Sequence, residues 1–175
     1  METPISAYVQ VVTDRPVERF LRKLFLSALD IDQLVIVSPF IGSLAGTRFG
    51  LRELCTRLDK RHIPIYVVTR EPQEPYHRDG VDTLLSFSQV EVRYNPAIHA
   101  KLYVCWCREE AQTFALFGSG NLTEPGLATN IELGMMVFAR GPGRDIVYQL
   151  HKWGHSLRML AGTTVAKRRT PMRRA

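Results

Sequence analysis

A histidine and a lysine stand two residues apart in the run IHAKLYVCW (98–106), whose other side chains suit a buried strand. Residues i and i+2 of an extended chain project from one face. His99 and Lys101 are therefore expected side by side, where an unpaired buried charge would be costly. Further on, FGSGN places Gly118, Ser119, Gly120 and Asn121 at the end of a strand-like segment. Its two glycines let the backbone turn sharply and approach a ligand closely. The Ser119 hydroxyl and the Asn121 amide are good partners for phosphate oxygens. In NIELG, Asn130 and Glu132 share a face at the start of a third strand.

One imidazole, one ammonium, one amide and one carboxylate within reach of a single point suit a phosphate. Lys101 acts as a point charge against its oxygens. Glu132 accepts a hydrogen bond from one imidazole nitrogen, leaving the other aimed at phosphorus. Taken singly, His99 reads as a satisfied core histidine and Glu132 as a strand-end charge; the combination points to chemistry. Ser119 does not read as a nucleophile, because FGSGN lacks the spacing of a nucleophile elbow.

Other candidates read two ways. Arg70, His77 and Arg78 either line a cleft or belong to a solvated loop, and SPFIG (38–42) is either a cleft rim or a structural turn. His151 and His155 lie four residues apart on a helix but have no Glu or Cys partner that would complete a metal site. Cys105 and Cys107 share a strand face and, with Cys55, read as small buried thiols. No metal or other cofactor is expected.

The elements that would hold these residues alternate. AYVQVV (7–12), QLVIVSPF (33–40) and IPIYVVTR (63–70) read as strands, the last two buried on both faces. PVERFLRKLFLSALD (16–30) and FGLRELCTRLDK (49–60) have helical apolar spacing. A polar loop over 71–80, a short helix near VDTLLSFS and the strand QVEVRY follow. AKLYVCW, TFALFGS and IELGMMVFA then crowd together as antiparallel additions, and a last helix covers about 144–160. The fold class expected is α/β: a mixed, mostly parallel β-sheet sandwiched between helices in a single domain over 1–163, with a basic C-terminal tail over 164–175. Sites in such sheets gather at the strand ends.

The 175 residues are 45% hydrophobic, which suits one domain with a proper core and argues against disorder. The sequence offers no signal peptide and no apolar run near the ~18 residues of a membrane span. With an odd number of cysteines, a cytoplasmic location and no membrane insertion are expected. Of 23 basic residues, five (Lys167, Arg168, Arg169, Arg173 and Arg174) fall in the last ten positions, which hold no acid, leaving 18 against 17. That basic end reads either as a phosphate-binding tail or as a solvated terminus.

The combination His99-Ala100-Lys101, Gly118-Ser119-Gly120-Asn121 and Glu132 resembles the HxK…GSxN signature of the phospholipase D superfamily, in the style of its short, single-motif bacterial endonucleases. The motifs span about 97–138, and the strand–helix pattern extends the likeness over nearly the whole chain. One departure is plain: the aspartate of the family's HxKxxxxD pattern is replaced by Trp106. The resemblance implies a phospholipase D-like fold and a metal-independent, two-step displacement through a phosphohistidine. It implies catalytic roles for His99, Lys101, Asn121 and Glu132, with Ser119 and Gly120 joining Lys101 and Asn121 in binding substrate. A second histidine is needed as acid and base, yet the chain has one HxK. A homodimer that brings two copies of His99 together is therefore expected. The activity implied is a nuclease acting on DNA or RNA. Alternatives are a phospholipase D or transphosphatidylase acting on lipid diesters, and a non-catalytic nucleic-acid-binding module.

Overall fold

A computed structural model describes residues 8–170. The elements in chain order are β1 (Val9–Val12), α1 (Pro16–Leu26), β2 (Ile31–Val37), α2 (Leu51–Lys60), β3 (Ile65–Thr69), α3 (Pro75–Leu85), β4 (Val90–Tyr94), β5 (Leu102–Cys107), β6 (Phe114–Gly118), α4 (Glu124–Ala128), β7 (Gly134–Phe138), α5 (Gly143–Ser156) and β8 (Thr164–Lys167). The strands form one sheet in the order β1-β7-β6-β5-β2-β3-β4-β8.

Strand composition explains the two-layer cover. In β2, Leu34 and Ile36 alternate with Val35 and Val37, and all four are buried. The first pair joins the core beneath α1 and α2; the second joins a smaller cluster with Val147 of α5. A strand hydrophobic on both faces needs cover on both. Helix α1 supplies it with Val17, Phe20, Leu21 and Leu24, the spacing of one helical stripe. Helix α2 adds Leu51, Leu54, Cys55 and Leu58. On the other face α5 comes so close that a Cβ on Gly154 would lie 3.0 Å from Leu102.

The α/β sandwich is as the sequence implies, but parallel pairing is less extensive. Among the described residues it joins only β2, β3 and β4; the remaining ladders are antiparallel. Strand β5, which follows β4 in sequence, inserts beside β2 instead of extending the parallel set. This arrangement positions the site. Strands β2, β3, β4 and β6 run one way and β5 and β7 the other. The ends of β2, β3 and β6 therefore meet the starts of β5 and β7 at one end of the sheet.

Three local readings change. The stretch 71–80 is not all loop, because Pro75 begins α3. A short helix that the sequence reading does not contain, α4, follows Leu122: Thr123 caps it, accepting a hydrogen bond from Gly126 N at 3.3 Å. The basic segment begins as edge strand β8, paired with β4. There Lys167 donates to the carbonyls of Leu85, at 2.6 Å, and Phe87. Its charge is thus committed to the fold. Arg173 and Arg174 lie outside the described residues. Among the described residues no helix is long and apolar enough to cross a membrane.

Candidate active site

His99 and Lys101 do not lie within β5. They occupy the extended segment between the Asn95–Ile98 turn and Leu102. That turn is tightly held. Asn95, 2% exposed, accepts Ala97 N on Oδ1 at 2.9 Å and donates from Nδ2 to Thr163 Oγ1 at 2.9 Å. Ile98 N donates to Asn95 O at 3.2 Å. A buried turn fixed at each polar atom sets where the next residue emerges. That residue is His99, which is exposed, while Lys101 is half-buried.

Both residues line one cleft of about 620 Å³ with Ser119, Gly118, Leu133 and Met135. The turn after β6 is brought against them by backbone bonds: Gly118 N donates to Lys101 O at 3.3 Å and Ser119 N to Leu133 O at 2.9 Å. Gly118 is required there, because a Cβ on it would lie 2.2 Å from Leu133 O. Ser119 Oγ donates to Glu132 Oε2 and accepts Leu133 N at 3.0 Å. Asn130 Nδ2 donates to the other carboxylate oxygen at 3.1 Å. Glu132 is thus fixed by Ser119 and Asn130. The bond expected between Glu132 and the imidazole does not form among the described residues, because Ser119 and Asn130 occupy its oxygens.

Asn121 follows Gly120 and does not line that cleft. Its Oδ1 is buried without a hydrogen-bond partner among the described residues, an exception to the usual pairing of buried polar atoms. Its carbonyl accepts Thr123 N at 2.9 Å. The structure therefore groups His99, Lys101 and Ser119 directly, and Glu132 through Ser119. Gly120 and Asn121 are adjacent in the same turn.

Two supports escaped the sequence reading. Tyr103, 1% exposed, donates its hydroxyl to Gly120 O at 2.8 Å. Burial pushes its phenol far above the ordinary value, so it remains a donor. Its spacing was the available signal: Tyr103 follows Lys101 by two residues and falls on the same face. Ser38 donates to Phe40 O at 2.7 Å and accepts Leu122 N at 3.1 Å. Gly42 N donates to Leu122 O at 2.8 Å. SPFIG is thus a turn that braces the GSGN loop. Of the three loop candidates, Arg70 donates from Nε to Ile98 O at 2.8 Å. His77 is buried against Thr69, with Nε2 3.0 Å from Oγ1. Arg78 lies in α3 and is exposed.

The departure at Trp106 has a structural counterpart. Trp106 stacks on His151, with centroids 4.2 Å apart and planes at 27°, on the α5 side of the sheet. His151 is committed to this packing, and His155 meets Tyr66 edge-on, with centroids 4.7 Å apart. Among the described residues no group of three His, Cys, Asp or Glu is placed to hold a metal ion.

Residues 81–149 match the family model of the NgoFVII restriction endonuclease N-terminal PLD domain. No curated protein matches the sequence at a significant level. Among solved structures, Nuc from Salmonella typhimurium, a phospholipase D family member, is similar with a TM-score of 0.63 at 14% identity, over 93% of this chain and 98% of that one. NucT from Helicobacter pylori aligns with a TM-score of 0.60 at 10% identity, over 90% and 98%. Phosphatidylserine synthase from Haemophilus influenzae Rd KW20 aligns with a TM-score of 0.57 at 16% identity, over 90% of this chain and 39% of that one.

Proposed function

We propose that this chain is a member of the phospholipase D superfamily and a metal-independent phosphodiesterase, a nuclease that cleaves DNA or RNA through a phosphohistidine in a homodimeric site; the family-model match over residues 81–149 and the shared fold support this reading. The observation that carries this reading is the placement of exposed His99 and half-buried Lys101 on one cleft with Ser119, beside a carboxylate already held in place.

In the first step one imidazole nitrogen of His99 attacks phosphorus. The P–N bond forms as a P–O bond breaks, and the departing oxygen takes a proton from a second imidazole. In the second step that imidazole removes a proton from water, and the resulting oxygen displaces His99 from phosphorus. Division into two steps lowers each barrier. Lys101, which lines the cleft, offsets charge on the phosphoryl oxygens, an electrostatic contribution of about 10²–10³-fold. Ser119 orients Glu132 and is not itself the nucleophile, since its hydroxyl is engaged by Glu132 and Leu133.

The second imidazole is His99 of a second copy. The cleft beside His99 is walled by Val11, Phe117, Leu133 and Met135. Val11 is 64% and Leu133 58% exposed. An apolar rim at a site that lacks its second histidine suits burial against an identical rim across a twofold axis. The same rim is the specific observation favouring a second reading, in which it receives the apolar part of a lipid diester.

The test is cleavage of single- and double-stranded nucleic acid in EDTA, beside headgroup release from phospholipid vesicles. Nuclease activity abolished by His99→Ala supports the proposal. Headgroup release without nucleic-acid cleavage moves it to the lipid reading. Unchanged cleavage by His99→Ala removes it, and a monomer under assay conditions removes the shared site.

A further inference from the structure

Arg70 follows β3, outside the HxK and GSxN motifs, yet its side chain reaches the peptide unit from which His99 emerges. Its Nε donates to Ile98 O at 2.8 Å. That carbonyl and the His99 amide belong to one planar unit. A cationic donor gives a shorter, stronger hydrogen bond than a neutral one. Holding the Ile98 oxygen therefore fixes the plane that sets the direction of the His99 side chain.

Arg70 is itself held from behind, at its backbone and at its guanidinium. Arg70 N donates to Pro39 O at 3.4 Å, and the guanidinium carbon lies 5.7 Å from the centre of the Phe40 ring. The edge of buried His77 meets Phe40, with centroids 5.6 Å apart and planes at 73°. Thr69 bridges this packing, donating from Oγ1 to Pro39 O at 3.2 Å and lying 3.0 Å from His77 Nε2. A continuous set of contacts thus runs from α3, through the turn after β2, to the peptide preceding His99.

We propose that Arg70 is a positioning residue for His99: it aims the imidazole by holding the Ile98 carbonyl and makes no contact with the substrate. The inference rests on the reading of His99 as the nucleophile. A nucleophile displaced by about 1 Å loses roughly 10²-fold in rate, so Arg70 acts on the chemical step and not on binding.

The experiment compares the wild-type protein, His99→Ala, Arg70→Ala and Arg70→Lys on one phosphodiester substrate, measuring kcat and KM separately, with added methylguanidinium as a rescue probe. The expected result is an inactive His99→Ala and an Arg70→Ala with kcat lowered about 10–100-fold at nearly unchanged KM. Methylguanidinium restores part of that kcat, and Arg70→Lys falls between the two. Activity retained by His99→Ala overturns the nucleophile reading. An inactive His99→Ala beside an Arg70→Ala with wild-type kcat overturns the role of Arg70 alone. A raised KM with unchanged kcat also overturns it, since Arg70 then binds substrate. If Arg70→Ala does not fold, Arg70→Gln, which keeps a donor, takes its place, and the same split between kcat and KM decides.

Discussion

Trp106 stacks on His151 across the interface between β5 and α5, at the position where related motifs carry an aspartate. Tyr103, Cys105 and Cys107 belong to the opposite core, and Lys101 is in step with them. The Trp106 side chain packs in the cluster on the α5 face and does not line the cleft of His99 and Lys101. Its task is packing. Trp106→Ala is expected to cost about 3 kcal/mol, as other large-to-small aromatic truncations do, while the folded fraction keeps kcat near the wild-type value. Urea unfolding and initial rates on one preparation check both.

Removing the hydroxyl of Tyr103 leaves Gly120 O buried without its donor. Tyr103→Phe is expected to destabilise by about 1–2 kcal/mol. Because that hydroxyl pins the loop carrying Ser119 and Asn121, the rate should also fall. Equal activity and lower stability would show that the loop keeps its place without the bond.

At Gly118 there is no room for a methyl group, since its position lies 2.2 Å from Leu133 O. Gly118→Ala forces β6 from β7, with an overpacking cost of about 1–3 kcal/mol. It also breaks the pairing of Ser119 with Leu133 and so releases Glu132. A loss of activity greater than the loss of folded protein is expected, from rates normalised by circular dichroism.

His151 gives the stability a pH dependence away from the site. Burial, with His155 nearby, lowers its pKa from 6.5 to about 4. The unfolded chain therefore binds a proton at His151 that the folded chain refuses. Between about pH 6.5 and 4 stability should fall as pH falls. His77 and His155 are also lowered, chiefly by burial, and act in the same direction. Below that window Glu91 contributes too. Burial alone would raise its pKa, but hydrogen bonds from Arg158 and Arg93 bring it below the ordinary carboxylate value, so acid removes that stabilisation. His151→Phe, which retains an aromatic face for Trp106, should flatten the urea midpoint between pH 6.5 and 4 without abolishing the slope.

Much of this was legible in the chain because the signals are local. Alternating Leu34–Val37 announced a strand covered on both faces, and Val17 to Leu24 announced the helix that covers one of them. The HxK and GSGN spacing announced that His99, Lys101 and Ser119 would lie close together, as they do along one cleft. What escaped depends on contacts distant in sequence. Parallel pairing stops at β4 because β5 inserts beside β2, which periodicity does not encode. Strand β8 lay hidden in a basic segment whose Lys167 satisfies carbonyls at Leu85 and Phe87. Glu132 carried no mark that Ser119 and Asn130 would hold it. Arg70 looked like one charge among several, and only the fold brings it to Ile98.

The most direct test is to quench the reaction on a short oligonucleotide early and locate any adduct by peptide mass spectrometry under alkaline conditions that preserve phosphoramidates. The expected result is an acid-labile P–N linkage on His99, carrying the retained part of the diester and absent from His99→Ala. Cleavage that proceeds with no adduct on His99, or with the adduct on another residue, would contradict a histidine nucleophile at this site.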